Sequence, residues 1–171
     1  MHPSFSHRQR TIPAMIPGAA LLGVWLAGSS LGLLAARSCG DEYGSLALRA
    51  GETALSFLDA CVVTLLPLLL SAFAVFFFHR FGAYAFCLLR GIAVGFFLGV
   101  LTAAGGVWLA VLLLFSGLAY SPVVLWYLWR RLELGLGGAL MDCLRCGLAG
   151  IVLAAADTWL AAPFLAAALS F

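Results

Sequence analysis

The sequence predicts an all-α protein, a polytopic transmembrane helix bundle of about five spans that forms a single membrane domain over residues 1–171. The first observation is composition: 64% of the 171 residues are hydrophobic and only 9% are charged, with a mean hydropathy of +1.11. Soluble domains are about half apolar and about a quarter charged, so water is not the main solvent of this chain. The second observation is that several apolar runs reach the roughly 20 residues that a helix needs to cross a hydrocarbon core about 30 Å thick.

The apolar runs are separated by short polar or glycine-rich breaks. The first run, 13–36, follows two arginines and exceeds the roughly 7 to 15 apolar residues of a cleavable signal peptide, so we expect an uncleaved signal anchor. The fourth ends in aromatic residues and then Arg130 and Arg131, which is typical of a membrane interface. Residues 136–171 accommodate the last span in more than one register. The predicted spans are 13–36, 54–78, 81–104, 107–129 and 147–171, with an external loop at 37–53 and a cytoplasmic interfacial segment at 130–146.

Arginine placement predicts the orientation, because loops that stay in the cytoplasm retain their basic residues. We therefore expect a multi-pass protein of the cell membrane with a cytoplasmic N-terminus, an external 37–53 loop and an external C-terminus. Six arginines then lie inside (Arg8, Arg10, Arg80, Arg130, Arg131 and Arg145) and two outside (Arg37 and Arg49).

Three glycines make a smooth face on the third predicted span. Gly91, Gly95 and Gly99 recur at steps of four, and Ala103 continues the row. Small residues let helix backbones approach closely in lipid, where burying leucine against leucine gains little. We expect a partner helix on this face. The fourth span is the natural antiparallel neighbour across the glycine pair 105–106, and the row also offers a surface for oligomer formation.

Two charges fall inside predicted spans, where each costs at least about 2.5 kcal/mol on insertion scales. Arg90 and Asp157 lie about 13 and about 15 Å from the same face at 1.5 Å per residue, so we expect an interior ion pair. Gly150 and Ala154 share the Asp157 face and would let the partner helix approach. A structural clamp is the favoured interpretation, and a proton or ion relay is the alternative.

Two further groups of polar residues are candidates for sites. Glu52, Ser56 and Asp59 form an outer polar face, which we interpret as a solvated helix face, with a substrate vestibule as the alternative. Cys143 and Cys146 form a C-x-x-C without a second pair or a nearby histidine, which favours small buried thiols over metal or redox chemistry.

Catalytic motifs are absent from the sequence, which has no G-x-S-x-G, H-E-x-x-H or Walker string and no histidine inside a predicted span. We therefore expect no enzymatic activity, no catalytic residue, no metal and no cofactor. Nine arginines balanced by seven acidic residues leave no dense basic patch for nucleic acid. Prolines at positions 67, 122 and 163 predict kinks, which occur both in carriers and in passive bundles.

The segment from Leu65 to Gly106 carries a series of small-residue landmarks. They are Gly82 at a tight turn, the basic-glycine pair Arg90-Gly91, the spaced glycines Gly95 and Gly99, and the hairpin pair Gly105-Gly106. In this respect the segment, about a quarter of the chain, resembles the stage II sporulation protein M family of endospore-forming bacteria.

The resemblance implies a noncatalytic membrane scaffold of the engulfment machinery. Its partners would be the lipid bilayer and other membrane or cell-wall proteins, in particular peptidoglycan hydrolases at the outer face of the septal membrane. The alternative from the residues alone is a small membrane transporter or permease subunit that uses Arg90 and Asp157 in an ion or substrate path.

Overall fold

The computed structural model describes residues 15–52, 56–105, 115–134, 138–161 and 163. Within these ranges every residue except Ser56 and Gly138 is helical, which confirms the predicted all-α class. The helices are α1 (Met15–Glu52), α2 (Phe57–Gly105), α3 (Phe115–Leu134) and α4 (Ala139–Ala156), which continues into a π-helical turn at Asp157–Ala161.

Long apolar stretches dominate these helices. In the part of the chain that the structure describes, three stretches are long and apolar enough to cross a membrane: Pro17–Cys39, Phe57–Ala103 and Ala139–Leu160. The middle one has 47 residues, about twice the length that one crossing requires. The predicted membrane character is therefore confirmed.

α2 consists of two helical arms, 57–78 and 80–105, joined at His79, whose φ of 49° lies in the left-handed region. Eight residues along a straight helix span about 12 Å, yet a Cβ at Gly82 would lie 2.7 Å from the carbonyl carbon of Ala74. The chain therefore bends sharply at His79. Only glycine fits at position 82, where the two arms part.

The second arm of α2 packs against α1 through small residues on both helices. A Cβ at Gly91 would lie 3.0 Å from the Ser29 nitrogen, and one at Gly99 would lie 2.6 Å from the Ala36 Cβ. On the facing helix, a Cβ at Gly32 would lie 2.6 Å from the Phe96 nitrogen. Residue numbers rise together on the two helices, so α1 and the second arm run parallel.

α3 and α4 form an antiparallel hairpin around a buried tyrosine. Tyr120 is fully buried, and its hydroxyl donates to the carbonyl oxygen of Cys146 at 2.9 Å. A Cβ at Gly150 would lie 3.1 Å from the same hydroxyl oxygen and 2.9 Å from Leu65 of the first arm of α2. At the other end of the hairpin, α3 meets the first turn of α4. The core surrounds the Tyr120 contact and also includes Leu21 of α1 and Cys87 of the second arm of α2.

The predicted external loop is not a loop in the described residues. Helix α1 continues through residues 37–52, most of the predicted 37–53 loop. This stretch is polar, but it contains leucine, alanine, arginine and glutamate, which all have high helix propensity. Polarity indicates that a segment leaves the membrane and does not decide whether it remains helical.

The boundaries near the C-terminus also differ from the prediction. The predicted interfacial segment 130–146 is divided between the last turn of α3, which ends at Leu134, and the first turns of α4, which begins at Ala139. The last apolar helix consequently starts eight residues before the predicted span 147–171. Gly138, with a φ of 68°, lies between the helices, where its left-handed backbone favours glycine. The first part of the predicted 107–129 span, up to residue 114, lies outside the described residues.

Candidate functional site

Three arginines converge on one aspartate where α3 meets α4. Arg131 donates from Nη2 to Oδ2 of Asp142, and both residues are only 3% exposed. Arg130 lies with Nε 3.5 Å from the same oxygen, and Arg145 lies with Nη1 3.7 Å from Oδ1. These four residues form the Asp142 cluster.

The positions of these charges follow from the two helix ends. Arg131 lies in the last turn of α3 and Asp142 in the first turn of α4, which are the ends where the helix dipole favours a cation and an anion. Gly138 closes the turn between them, and its carbonyl oxygen accepts the backbone N–H of Asp142 at 3.1 Å. The short connection thus places the carboxylate beside the guanidinium.

Aromatic rings flank two arginines of the Asp142 cluster. The Arg130 guanidinium carbon lies 5.5 Å from the ring centroid of Trp126, and that of Arg131 lies 5.6 Å from the ring centroid of Tyr127. These are cation–π distances. Tryptophan, tyrosine and arginine together are typical of the level of lipid headgroups.

Burial determines the energetic role of each ion pair in the cluster. A buried pair that loses one partner leaves an uncompensated charge, which costs about 3 to 5 kcal/mol. The Arg131–Asp142 pair falls in this class. The Arg145 side chain is 64% exposed, and exposed pairs contribute at most about 1 kcal/mol. The buried Arg131–Asp142 pair therefore stabilises the hairpin. The exposed Arg145 guanidinium can still donate hydrogen bonds to other groups.

An open apolar groove of about 430 Å³ lies beside the Asp142 cluster. It is formed where the first arm of α2 passes the α3–α4 turn. Its walls include Phe73, Phe76 and Phe77 of α2, Tyr127 and Arg131 of α3, and Leu140 of α4.

Arg90 contacts α3 through a backbone carbonyl. Its Nη2 donates to the carbonyl oxygen of Gly117 at 3.1 Å, and the Ser121 hydroxyl donates to the same oxygen at 2.8 Å. This contact joins the second arm of α2 to the start of α3.

The predicted ion pair of Arg90 and Asp157 stays a prediction. Arg90 donates to the Gly117 carbonyl oxygen of α3. Asp157 lies 18 residues after the start of α4 at Ala139 and opens the π-helical turn, where its backbone amide donates to the carbonyl oxygens of Leu153 and Ala154.

The structure assigns partners to the predicted small-residue faces. The row of Gly91, Gly95 and Gly99 meets α1, not the helix that follows it in the chain. Gly150 accommodates the Tyr120 ring, and Ala154 is fully buried.

Two features were missed from sequence. The first is the matching row on α1, which Gly28, Gly32 and Ala36 form at steps of four, a pattern visible in the first predicted span. The second is the Asp142 cluster. Its signal is a glycine-rich turn that separates two arginines from an aspartate, a pattern that predicts a hairpin rather than an interfacial helix.

The predicted outer polar face forms the start of α2. The Ser56 hydroxyl donates to Oδ2 of Asp59 at 2.6 Å, and the Asp59 amide donates back to the hydroxyl oxygen at 3.3 Å. This reciprocal pattern is a helix cap made by two exposed residues. The Glu52 side chain lies outside the described residues.

Thiols are the remaining groups with reactive potential. Cys143 and Cys146 are free in the structure, the first half-buried and the second buried. The part of the chain that the structure describes contains no group of three histidine, cysteine or acidic residues placed to hold a metal ion.

The packed helices and their apolar stretches define the class of protein as a membrane protein built from a helix bundle. Among the described residues, three apolar stretches are able to cross the bilayer. Comparison with family models, curated proteins and solved structures finds no match to the chain.

Proposed function

We propose that this protein is a noncatalytic integral membrane scaffold that organises peptidoglycan hydrolases during sporulation engulfment. The resemblance of residues 65–106 to the stage II sporulation protein M family supports the choice of partner. The observation that carries the scaffold role is that three polar contacts in the described bundle, made by Arg90, Tyr120 and Arg131, each connect one helix to another.

Each of these polar contacts joins a different pair of segments or a different level of the bundle. Arg90 joins the second arm of α2 to α3 through Gly117, and Tyr120 joins α3 to α4 near mid-helix through the Cys146 carbonyl. The Arg131–Asp142 pair joins α3 to α4 at their turn. Hydrogen bonds and ion pairs between helices stabilise one arrangement of a bundle, which suits a protein that presents partners at fixed positions.

The directions of the helices support about five membrane passes. α1 and the second arm of α2 run parallel, whereas α3 and α4 run antiparallel, as their contacts require. A chain that alternates through α1, the two arms of α2, α3 and α4 satisfies both relations. The Asp142 cluster would then lie on the cytoplasmic side, in agreement with the arginine bias.

Cysteine labelling tests this orientation. We expect a membrane-impermeant maleimide applied to intact cells to label a variant that retains only Cys39, and to leave a variant that retains only Cys143 unlabelled until the membrane is permeabilised. Both thiols are half-buried, so their accessibility is comparable. Labelling of Cys143 alone in intact cells would reverse the proposed topology.

Cross-linking in native membranes tests the scaffold role. We expect the full chain, cross-linked in cells and purified through a tag, to carry a peptidoglycan hydrolase, and a deletion strain to lose the membrane-localised fraction of that hydrolase. A tagged unrelated multi-pass protein expressed at the same level is the control. A hydrolase distribution that is unchanged in the deletion strain would contradict the proposal.

Arg90 favours a second candidate, a small transporter or permease subunit. Its Nε is buried and has no hydrogen-bond partner within the described residues, so the guanidinium keeps a donor at bilayer depth. A transporter would lose function in Arg90→Met while it still folds. A scaffold would retain function in the same variant as long as the bundle folds, because in that role Arg90 serves only to join two helices.

A further inference from the structure

Arg90 lies inside the apolar stretch of α2, between the core and the exposed face of the second arm. It follows the bend at His79 by 11 residues, which is about 16 Å along the helix. Cys87, one turn before it, is buried, whereas Ala93 and Phe97 after it are exposed. Arg90 itself is half-buried, so its guanidinium packs against the bundle and remains within reach of a neighbouring helix.

The charge of Arg90 has no counter-charge among the described residues. Its Nη2 donates to the Gly117 carbonyl oxygen at 3.1 Å, a neutral acceptor that also receives the Ser121 hydroxyl at 2.8 Å. Its Nε is buried without a hydrogen-bond partner. The ion pairs found in the described part of the chain all involve Asp142, and none of them includes Arg90. A carboxylate is therefore the group that Arg90 lacks, because ionisable groups inside a membrane pair with one another.

Space for a carboxylate exists next to this contact. Gly117 carries no side chain, and a Cβ at its position would meet no atom within 4 Å. This gap borders the carbonyl group that Arg90 contacts, because the Cβ position and the carbonyl carbon are both bonded to the Gly117 Cα. A glycine also lets the backbone of a neighbouring membrane helix come close. The Arg90 guanidinium and the open Gly117 position together form the Arg90 notch.

We propose that the Arg90 notch binds an aspartate or glutamate side chain in the membrane helix of a partner protein. Charge complementarity selects this occupant, because a carboxylate in an apolar helix needs a cationic partner as much as Arg90 needs an anionic one. A guanidinium also binds a carboxylate about twice as strongly as it binds a neutral carbonyl. The contact lies inside the membrane and is separate from the proposed hydrolase contacts at the outer face, so either proposal can fail alone.

A transmembrane peptide of leucine and alanine with one central aspartate tests the Arg90 notch. The full chain, labelled with a fluorescent donor, is reconstituted in phosphatidylcholine vesicles with the acceptor-labelled peptide, and energy transfer reports binding. Otherwise identical peptides with asparagine or leucine at the central position are the comparison. We expect the aspartate peptide to bind about ten-fold more tightly than the asparagine peptide, in the range of strong polar contacts between membrane helices.

Two variants separate the charge of the notch from its space. Arg90→Gln should abolish the preference for the aspartate peptide, whereas Arg145→Gln removes the same charge from an exposed position and should keep the preference. Gly117→Leu should weaken binding of the aspartate peptide about ten-fold, because leucine fills the gap while Arg90 stays in place. Gly147→Leu is its matched control, since a Cβ at Gly147 likewise meets no atom within 4 Å.

The comparison of peptides on the unmodified protein covers the case in which a variant fails to fold. Equal binding of the aspartate and asparagine peptides would overturn the proposal. Competition by free acetate would overturn it as well, because the notch would then take a small anion, as a transporter site would. So would a double variant of Arg90→Met with Asp157→Leu that is milder than either single variant, because the carboxylate would then come from this chain.

Discussion

Gly95→Ala should weaken the bundle because position 95 has no room for a methyl group. A Cβ at this position would lie 2.7 Å from both the carbonyl carbon and the Cα of Ser29 on α1. Carbon atoms in contact prefer about 3.5 to 4.0 Å, so α1 and the second arm of α2 must separate by about 1 Å. The atoms in conflict belong to the backbone, which cannot rotate away as a flexible side chain could.

The expected change in the free energy of unfolding of Gly95→Ala combines two opposing contributions. Overpacking a tight contact costs about 1 to 3 kcal/mol. Replacing glycine by alanine inside a helix gains up to about 1 kcal/mol of helix propensity. Gly23→Ala isolates the second contribution, because a Cβ at Gly23 of α1 would meet no atom within 4 Å. The difference in the free energy of unfolding between the two variants should therefore equal the steric cost, about 1 to 3 kcal/mol.

Unfolding by sodium dodecyl sulfate in mixed micelles, followed by loss of tertiary fluorescence, measures this difference. We expect the midpoint of Gly95→Ala to fall below that of the wild type, and the midpoint of Gly23→Ala to match or exceed it. If both variants unfold at the same midpoint, the glycine row does not hold α1, and the reasoning fails.

Three more perturbations examine the other contacts. Asp142→Asn should destabilise by about 3 to 5 kcal/mol, because it removes the anion beside the buried Arg131 guanidinium, whereas Arg145→Gln should cost under about 1 kcal/mol. Folded yield after detergent extraction would show the contrast, and equal yields would argue against a buried pair. Tyr120→Phe should lower the free energy of unfolding by about 0.5 to 1.5 kcal/mol, because it removes the hydroxyl that donates to the Cys146 carbonyl oxygen of α4. An unchanged unfolding midpoint would mean that this hydrogen bond contributes nothing to stability. If Arg90 and Asp157 form the ion pair predicted from sequence, the double variant Arg90→Met with Asp157→Leu should be milder than either single variant, and additive effects on stability would contradict the pair.

Parts of the candidate site could be predicted from the sequence because they depend on local pattern. The glycine row at 91, 95 and 99 is recognisable from its spacing, and so is the break near His79. Asp142 shows why the rest could not be predicted. Its importance depends on its ion pair with Arg131, which lies on the other side of the α3–α4 turn. That turn contains Gly138 in a left-handed conformation. The start of α4 at Ala139, eight residues before the predicted start of the last span, also depends on this turn.

Composition and hydropathy alone determined that this protein is an all-helical membrane protein. The free energy of transfer into lipid is a sum over the residues of a segment, and a helix satisfies its own backbone hydrogen bonds there. Tertiary structure alone decided which helix the glycine row meets, where Arg90 donates and which carboxylate the arginines surround. Those outcomes depend on the direction and register of helices distant in the chain, and close packing accepts only the pairing in which small residues face each other on both sides. Gly28 and Gly32 on α1 supply that matching surface, and α1 therefore occupies the face that sequence proximity had assigned to the following helix.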